Sequence, residues 1–181
     1  KSVLDLCDIL NIDYVNATCP FVAKIHKIVA EYSKQGYITI IAGDKNHQEV
    51  KGIIGHTTGE YHVIADTDEL DNLLKNNPTL TSKNVTLVSQ TTFNAKIWKK
   101  VQKNLKKVCT NAKIFDTMCN ATSLRQEEAH TLSLESDCVI VIGGRHSSNT
   151  AKLYDVCKLN CEKTFLIETA GELPLEVLKE C

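Results

Sequence analysis

Short runs of consecutive apolar, β-branched residues constrain this chain more than any other feature. Ile38-Thr39-Ile40-Ile41 and Val139-Ile140-Val141-Ile142 do not alternate with polar residues. A strand with one face in water alternates, whereas a strand covered on both faces is apolar throughout, the pattern of parallel sheets. Comparable runs at residues 14–17, 37–42, 61–65, 85–89, 112–115, 138–142 and 163–167 predict seven strands. Helical stripes lie between them. Val22, Ile25, Ile28, Val29 and Tyr32 form one, and Ile97, Val101, Leu105 and Val108 another. Weaker stripes include Leu124, Leu132, Leu153, Val156 and Leu159. Alternating strand and helix implies right-handed crossovers and an α/β architecture. Gly36 and Gly143-Gly144 punctuate element ends, and the turn-rich stretch 76–84 with Pro78 is a loop.

The strands fit one sheet of seven or two smaller sheets, and an internal echo favours two. Tyr14-Val15-Asn16-Ala17-Thr18-Cys19 runs a strand into a cysteine ahead of a helix, and Ile114-Phe115-Asp116-Thr117-Met118-Cys119 does the same. Each cysteine then sits at a strand's carboxyl end, where α/β sheets present ligands. Each also sits near a helix N-terminus, whose partial positive charge stabilises a thiolate.

Composition narrows the function classes. The 181 residues carry 21 Lys and Arg against 22 Asp and Glu, a net charge of −1. A chain with no basic block argues against a nucleic-acid partner. No apolar run reaches the roughly 20 residues that span a bilayer, and no signal-peptide pattern opens the chain. Eight cysteines are too few for a disulfide scaffold and fit reduced thiols in a cytoplasmic setting. The chain opens on Lys1, its one methionine is Met118, and Cys181 sits in a helical pattern, so the expectation is part of a longer protein.

Five groups of residues could carry chemistry. Cys19 and Cys119 are soft ligands suited to zinc or an iron–sulfur cluster, although isolated cysteines are more often buried packing residues. Cys7, Cys109, Cys138, Cys157, Cys161 and Cys181 read as packing, with Cys157 and Cys161 also spaced to clip a metal. Gly143-Gly144-Arg145-His146-Ser147-Ser148-Asn149-Thr150 follows a buried strand and opens a helix. One hydroxyl would suffice for an N-cap, and the run of small polar residues after two glycines tilts the reading toward anion binding. Ser89-Gln90-Thr91-Thr92 repeats that logic ahead of a helix near Asn94, with capping equally natural. His47 and Glu49, beyond the strand at 37–42, pair an imidazole with a carboxylate, either an acid–base pair or a solvated loop. His26 reads as structural or surface.

Together these residues resemble the LytB/IspH family, the 4-hydroxy-3-methylbut-2-enyl diphosphate reductases. The matches run in order: Ala17-Thr18-Cys19-Pro20-Phe21-Val22-Ala23-Lys24-Ile25-His26, His47-Gln48-Glu49-Val50-Lys51-Gly52, and Ser89-Gln90-Thr91-Thr92. Then come the segment from Phe115 to Gln126 around Cys119, Gly143-Gly144-Arg145-His146-Ser147-Ser148-Asn149-Thr150-Ala151-Lys152-Leu153, and Glu168-Thr169-Ala170. Each motif alone is moderate; their order along nearly the whole chain is specific. The resemblance implies a three-module cloverleaf of α/β units around one [4Fe–4S] cluster, of which this chain holds two small parallel-sheet βα modules. Residues 1–19 would end a first module, 20–113 form the second and 114–181 the third. It implies Cys19 and Cys119 as two of three cluster ligands, and His47, Ser147, Ser148 and Asn149 on the substrate diphosphate. Glu49 would be the proton relay, with one of Thr91 and Thr92 positioning it and the substrate.

Departures from the pattern matter as well. The family's first cluster cysteine, two further diphosphate-binding histidines and a last serine have no counterpart here. Cys7 lies too close to Cys19 and lacks the glycine-rich surroundings to replace that cysteine. Gln48 stands where proline is usual, and Met118 where a branched residue is usual. The implied activity is an oxidoreductase of isoprenoid biosynthesis, reducing a small diphosphate with electrons from a donor such as ferredoxin or flavodoxin. With two thiolates of three, the cluster is expected to be absent or incomplete in this chain alone, and the chain inactive. The rival from a different class is a non-redox phosphate-sugar binding module, which gives Cys19 and Cys119 no role. A zinc-binding structural protein is a further rival, which the lack of any close cysteine pair with zinc-finger spacing opposes.

Overall fold

The structure, a computed structural model, describes residues 2–173 and Glu176. Cys181 lies outside the described residues. The chain divides into two compact units, Lys1–Met118 and Cys119–Cys181.

The first unit contains α1 (Ser2–Ile9), α2 (Pro20–Lys34), β1 (Ile38–Ala42), α3 (Gln48–His56) and β2 (Tyr61–Ile64). It continues with α4 (Thr67–Asn76), a 3-10 turn at Pro78–Ser82, β3 (Val85–Ser89), α5 (Ala95–Val108) and β4 (Ala112–Ile114). All four strands are parallel, in the order β2-β1-β3-β4. Every residue of the central strands β1 and β3 is buried. Their alternation feeds two cores. Ile40, Ala42, Val85 and Leu87 pack with Leu70, Trp98, Val101 and Leu105 of α4 and α5. Ile41 and Val88 pack on the other side with Ile25, Val29, Val50 and Ile53 of α2 and α3. Successive apolar residues are therefore each in a core, which is why these runs do not alternate.

Local chemistry sets the element ends. Gly36, at φ +82°, follows α2 in the left-handed region that glycine adopts without strain. Asp66 accepts from the backbone N–H groups of Asp68 and Glu69 at the start of α4, and Asn94 from those of Lys96 and Ile97 at the start of α5.

The second unit comprises α6 (Asn120–Leu134), β5 (Val139–Ile142), α7 (Ser148–Lys158), β6 (Thr164–Ile167) and a 3-10 turn at Ala170–Glu172. β5 and β6 form a two-stranded parallel sheet. Two helices hold together beside it: the Cys157 thiol donates to the Ala129 carbonyl at 3.6 Å, and Asn160 bridges His130 and Ser133.

The expectation of two parallel sheets holds, with six strands among the described residues instead of seven. Residues 14–17 form no strand, and Val15 is 94% exposed. An extended apolar run becomes a strand only beside a free sheet edge, and residues 12–19 pair with none among the described residues. Strand β5 is less covered than its sequence predicts: Val141 is buried, but Ile142 is 72% exposed. A two-stranded sheet offers few neighbours for a fully apolar strand. The division between the units falls at Met118–Cys119, and β4, which straddles residues 113 and 114, pairs with β3 in the first unit. No helix among the described residues is long and apolar enough to cross a membrane.

Candidate active site

In the first unit, the chain leaves β1 through Gly43. A Cβ there would lie 2.7 Å from Val50 Cγ2 and 3.0 Å from Gln90 Oε1, so glycine alone allows this close approach. The loop turns at Asp44 and reaches His47, the N-cap of α3. His47 Nδ1 accepts from the Glu49 N–H at 3.2 Å. This assigns Nε2 as the protonated nitrogen of the neutral ring. That nitrogen makes no hydrogen bond among the described residues.

Glu49 lies in the first turn of α3, and Thr91 holds both oxygens of its carboxylate. The Thr91 N–H donates to Oε1 at 2.6 Å and the Thr91 hydroxyl to Oε2 at 2.8 Å. Thr92 turns elsewhere, its hydroxyl accepting from Gln90 Nε2 at 2.9 Å. Thr91 is therefore the member of the pair that holds Glu49. Gln90, 2% exposed, is a residue the sequence reading passed over. Its Oε1 accepts from the Asp44 N–H at 3.1 Å, so one buried amide fastens the His47 loop to the end of β3. The only sequence signal for it was its place inside the Ser-Gln-Thr-Thr motif.

Cys19 is the N-cap of α2, with Pro20 beginning the helix. Its thiol is exposed and makes no capping hydrogen bond. Thr18 just before it is fixed through its N–H to Asn16 Oδ1. Nearby, His26 stacks on His56 with ring centroids 4.0 Å apart. Burial and the neighbouring His56 push His26 down to about 4.

In the second unit, Cys119 is the N-cap of α6, again with no capping bond from its half-buried thiol. Gly143 ends β5 under a tight contact, since a Cβ would meet Thr150 Oγ1 at 2.5 Å. Ser147 is the cap of α7, its hydroxyl accepting from the Thr150 N–H at 3.3 Å. One serine thus serves the capping role, while Ser148 and Asn149 occupy the first turn. Asn149 Oδ1 is buried without a hydrogen-bond partner among the described residues. The Arg145 N–H donates to Glu168 Oε1 at 2.6 Å, and its guanidinium pairs with Glu172. These ties fix the Gly-Gly-Arg turn ahead of the helix.

The two units share a local build. Gly43, the cap His47 and Val50 correspond to Gly143, the cap Ser147 and Thr150, and both cap amides close the same tight turn (His47 N–H to Asp44, Ser147 N–H to Gly144).

Cys109, Cys157 and Cys161 are buried, and burial pushes the thiols of Cys109 and Cys157 up. Those three are packing residues, as expected. No cluster of three or more His, Cys, Asp or Glu suited to a metal ion occurs among the described residues. Cys19 and Cys119 fit a cluster in donor chemistry: soft sulfur, accessible, and free of competing hydrogen bonds.

Comparison with known proteins places these features in a family. The LytB protein family profile matches residues 1–181. A 4-hydroxy-3-methylbut-2-enyl diphosphate reductase of Caldanaerobacter subterraneus subsp. tengcongensis is 40% identical over 179 residues, 99% of this chain and 60% of that protein. One from Clostridium acetobutylicum is 45% identical over 165 residues, 91% of this chain and 25% of that protein. The solved structure of the E-1-hydroxy-2-methyl-but-2-enyl-4-diphosphate reductase from Plasmodium falciparum matches with a TM-score of 0.87 at 28% identity, covering 98% of this chain and 55% of that one. The chain thus spans about three fifths or less of the length of these relatives. With the profile matched from end to end, the chain belongs to the LytB protein family.

Proposed function

We propose that, in a protein of the relatives' full length, this chain supplies two modules of a reductase. The reaction is conversion of 4-hydroxy-3-methylbut-2-enyl diphosphate to isopentenyl and dimethylallyl diphosphate in non-mevalonate isoprenoid synthesis. The allylic C–O bond breaks, two electrons and two protons enter, and the hydroxyl leaves as water. The observation that carries this reading is the mounting of Glu49: a carboxylate fixed through both oxygens by Thr91, two residues from an imidazole that caps the same helix.

Cys19 and Cys119 are assigned as two of three cysteine ligands to a [4Fe–4S] cluster, and the chemistry that group brings when bound is electron delivery with Lewis acidity toward a hydroxyl oxygen. The remaining roles belong to the polypeptide. His47 presents Nε2–H to diphosphate oxygen, as its capping bond through Nδ1 dictates. Ser147, Ser148 and Asn149 offer donors from the first turn of α7, where backbone N–H groups also favour an anion. Anchoring the diphosphate orients the distant C–O bond, so binding energy far from the reacting atoms serves the chemical step. Glu49 delivers the proton to the leaving hydroxyl, and Thr91 keeps its carboxylate from rotating away. Thr92 assists through Gln90. A soluble donor such as ferredoxin or flavodoxin supplies the electrons, in the cytoplasm.

The test uses the full-length protein. Glu49→Gln is expected to retain stoichiometric iron and the cluster's absorption but lose most turnover, about a hundredfold for removal of a general acid. Full turnover by that variant removes Glu49 from the mechanism. Cys119→Ser is expected to lose iron. Retention of iron and diphosphate binding in that variant would instead favour the non-redox phosphate-sugar binding module.

A further inference from the structure

Strand β3 ends in a substitution of side chain for backbone. The β3–β4 ladder stops at the pair Leu87 and Ile114, with one more bond from the Phe115 N–H to the Leu87 carbonyl at 3.0 Å. Ser89, fully buried, would next require backbone partners from β4. Thr117 replaces them with its hydroxyl, which accepts from the Ser89 N–H at 2.7 Å and donates to the Ser89 carbonyl at 2.8 Å. Its one proton being spent, the Ser89 hydroxyl at 3.2 Å must be the donor to Thr117 Oγ1. Thr117 is 4% exposed.

Neighbours reinforce the same point. Asp116 Oδ1 accepts from the Trp98 indole N–H at 3.1 Å, and Met118 is buried in the α4/α5 core. The chain is thus released from the sheet at Phe115 yet pinned again before Cys119 opens the second unit. The pinned strand end continues through Gln90 to Thr91, which holds Glu49.

We propose that Thr117 is a positioning residue: its hydroxyl fixes where the chain leaves β3, two residues ahead of Cys119, and thereby holds the backbone that presents Cys119 as a cluster ligand. This rests on the reading of Cys119 as a cluster ligand. A hydroxyl does the work, so serine should suffice at this position and the isosteric valine should not. Valine would leave the Ser89 N–H and carbonyl buried without partners.

The experiment uses the full-length protein purified without oxygen, in the Thr117→Val, Thr117→Ser and Cys119→Ser forms. Iron per chain, the rate of iron loss to a chelator and the electron paramagnetic resonance spectrum after dithionite reduction are recorded beside the melting temperature. Thr117→Val is expected to lose iron about tenfold faster, the low end for residues that support a metal ligand, with an altered spectrum. Thr117→Ser is expected to restore both. Parent iron retention and spectrum in a folded Thr117→Val protein would overturn the proposal, even with a lowered melting temperature. If the valine form does not fold, the serine form decides: parent values support the proposal, and a folded serine form depleted of iron overturns it. Cys119→Ser separates the two levels of inference. Full iron in that variant sinks the cluster reading itself, whereas lost iron there with parent behaviour in Thr117→Val sinks the role of Thr117 alone.

Discussion

Thr91 and Thr92 are adjacent, chemically identical and unequal in consequence. Replacing Thr91 by valine keeps the shape and the 2.6 Å bond from its N–H to Glu49 Oε1, and deletes the 2.8 Å bond from its hydroxyl to Oε2. A hydrogen bond to a charged acceptor contributes about 1.5–3 kcal/mol net. Glu49 is half-buried, so water replaces part of that loss and the lower figure applies. About 1.4 kcal/mol is tenfold in rate, so in the reductase proposed above kcat should fall by roughly tenfold with KM for the diphosphate little changed. Thr92→Val leaves both Thr91–Glu49 bonds intact and removes an acceptor for Gln90 Nε2, so its kcat should stay within about twofold of the parent. The assay is steady-state reduction by the full-length protein with dithionite and a mediator as electron source. Because Thr91 acts through Glu49, the double variant Thr91→Val, Glu49→Gln should be no slower than Glu49→Gln alone. Equal damage from Thr91→Val and Thr92→Val, or additive losses in the double variant, would refute the argument.

Other consequences concern stability. Thr39 and Thr86 are register partners on the α2/α3 face of the sheet, both fully buried with hydroxyls that have no hydrogen-bond partner, so Thr39→Val and Thr86→Val should each stabilise by about 1 kcal/mol in urea denaturation. A loss of stability in both would mean that the hydroxyls are satisfied. His26, lowered from 6.5 to about 4 by burial and then His56, takes its proton first in the unfolded chain, so stability should fall as pH drops from about 6.5 to about 4 and level off below. His56→Gln should make that fall shallower without abolishing it, and an unchanged pH profile of the melting temperature would contradict this. Gly43→Ala should cost about 1–3 kcal/mol by overpacking, because its Cβ would sit 2.7 Å from Val50 Cγ2, and a melting curve identical to the parent would show that the loop yields.

The parts of the fold that a local pattern determines were readable from the residues. Ile38–Ala42 and Val85–Ser89 are apolar throughout because consecutive side chains enter two cores, and that information is in the run itself. Residues 14–17 carry a similar run, but a strand also needs an edge to pair with, and pairing is not a property of the segment. The same limit applies at the site. The positions of His47, Glu49 and Ser147 at helix starts follow from their placement after strands. Which threonine meets Glu49 depends on the direction each side chain takes as β3 ends, a tertiary fact. Gln90 and Thr117 escaped the sequence reading for a related reason. Each uses a side chain to satisfy backbone groups 46 and 28 residues away, and no spacing rule encodes such a bond.

The glycine strut common to both units has a consequence for how the chain divides labour. Gly43 beneath Val50 and Gly143 beneath Thr150 cast the same turn twice, so His47 and Ser147 are structural homologues within one molecule, as are Glu49 and Asn149. The scaffold position that holds an ionisable acid in one copy holds an uncharged amide in the other. The two castings thus display different chemistry on one shared turn, an imidazole and a carboxylate in the first and a hydroxyl and an amide in the second.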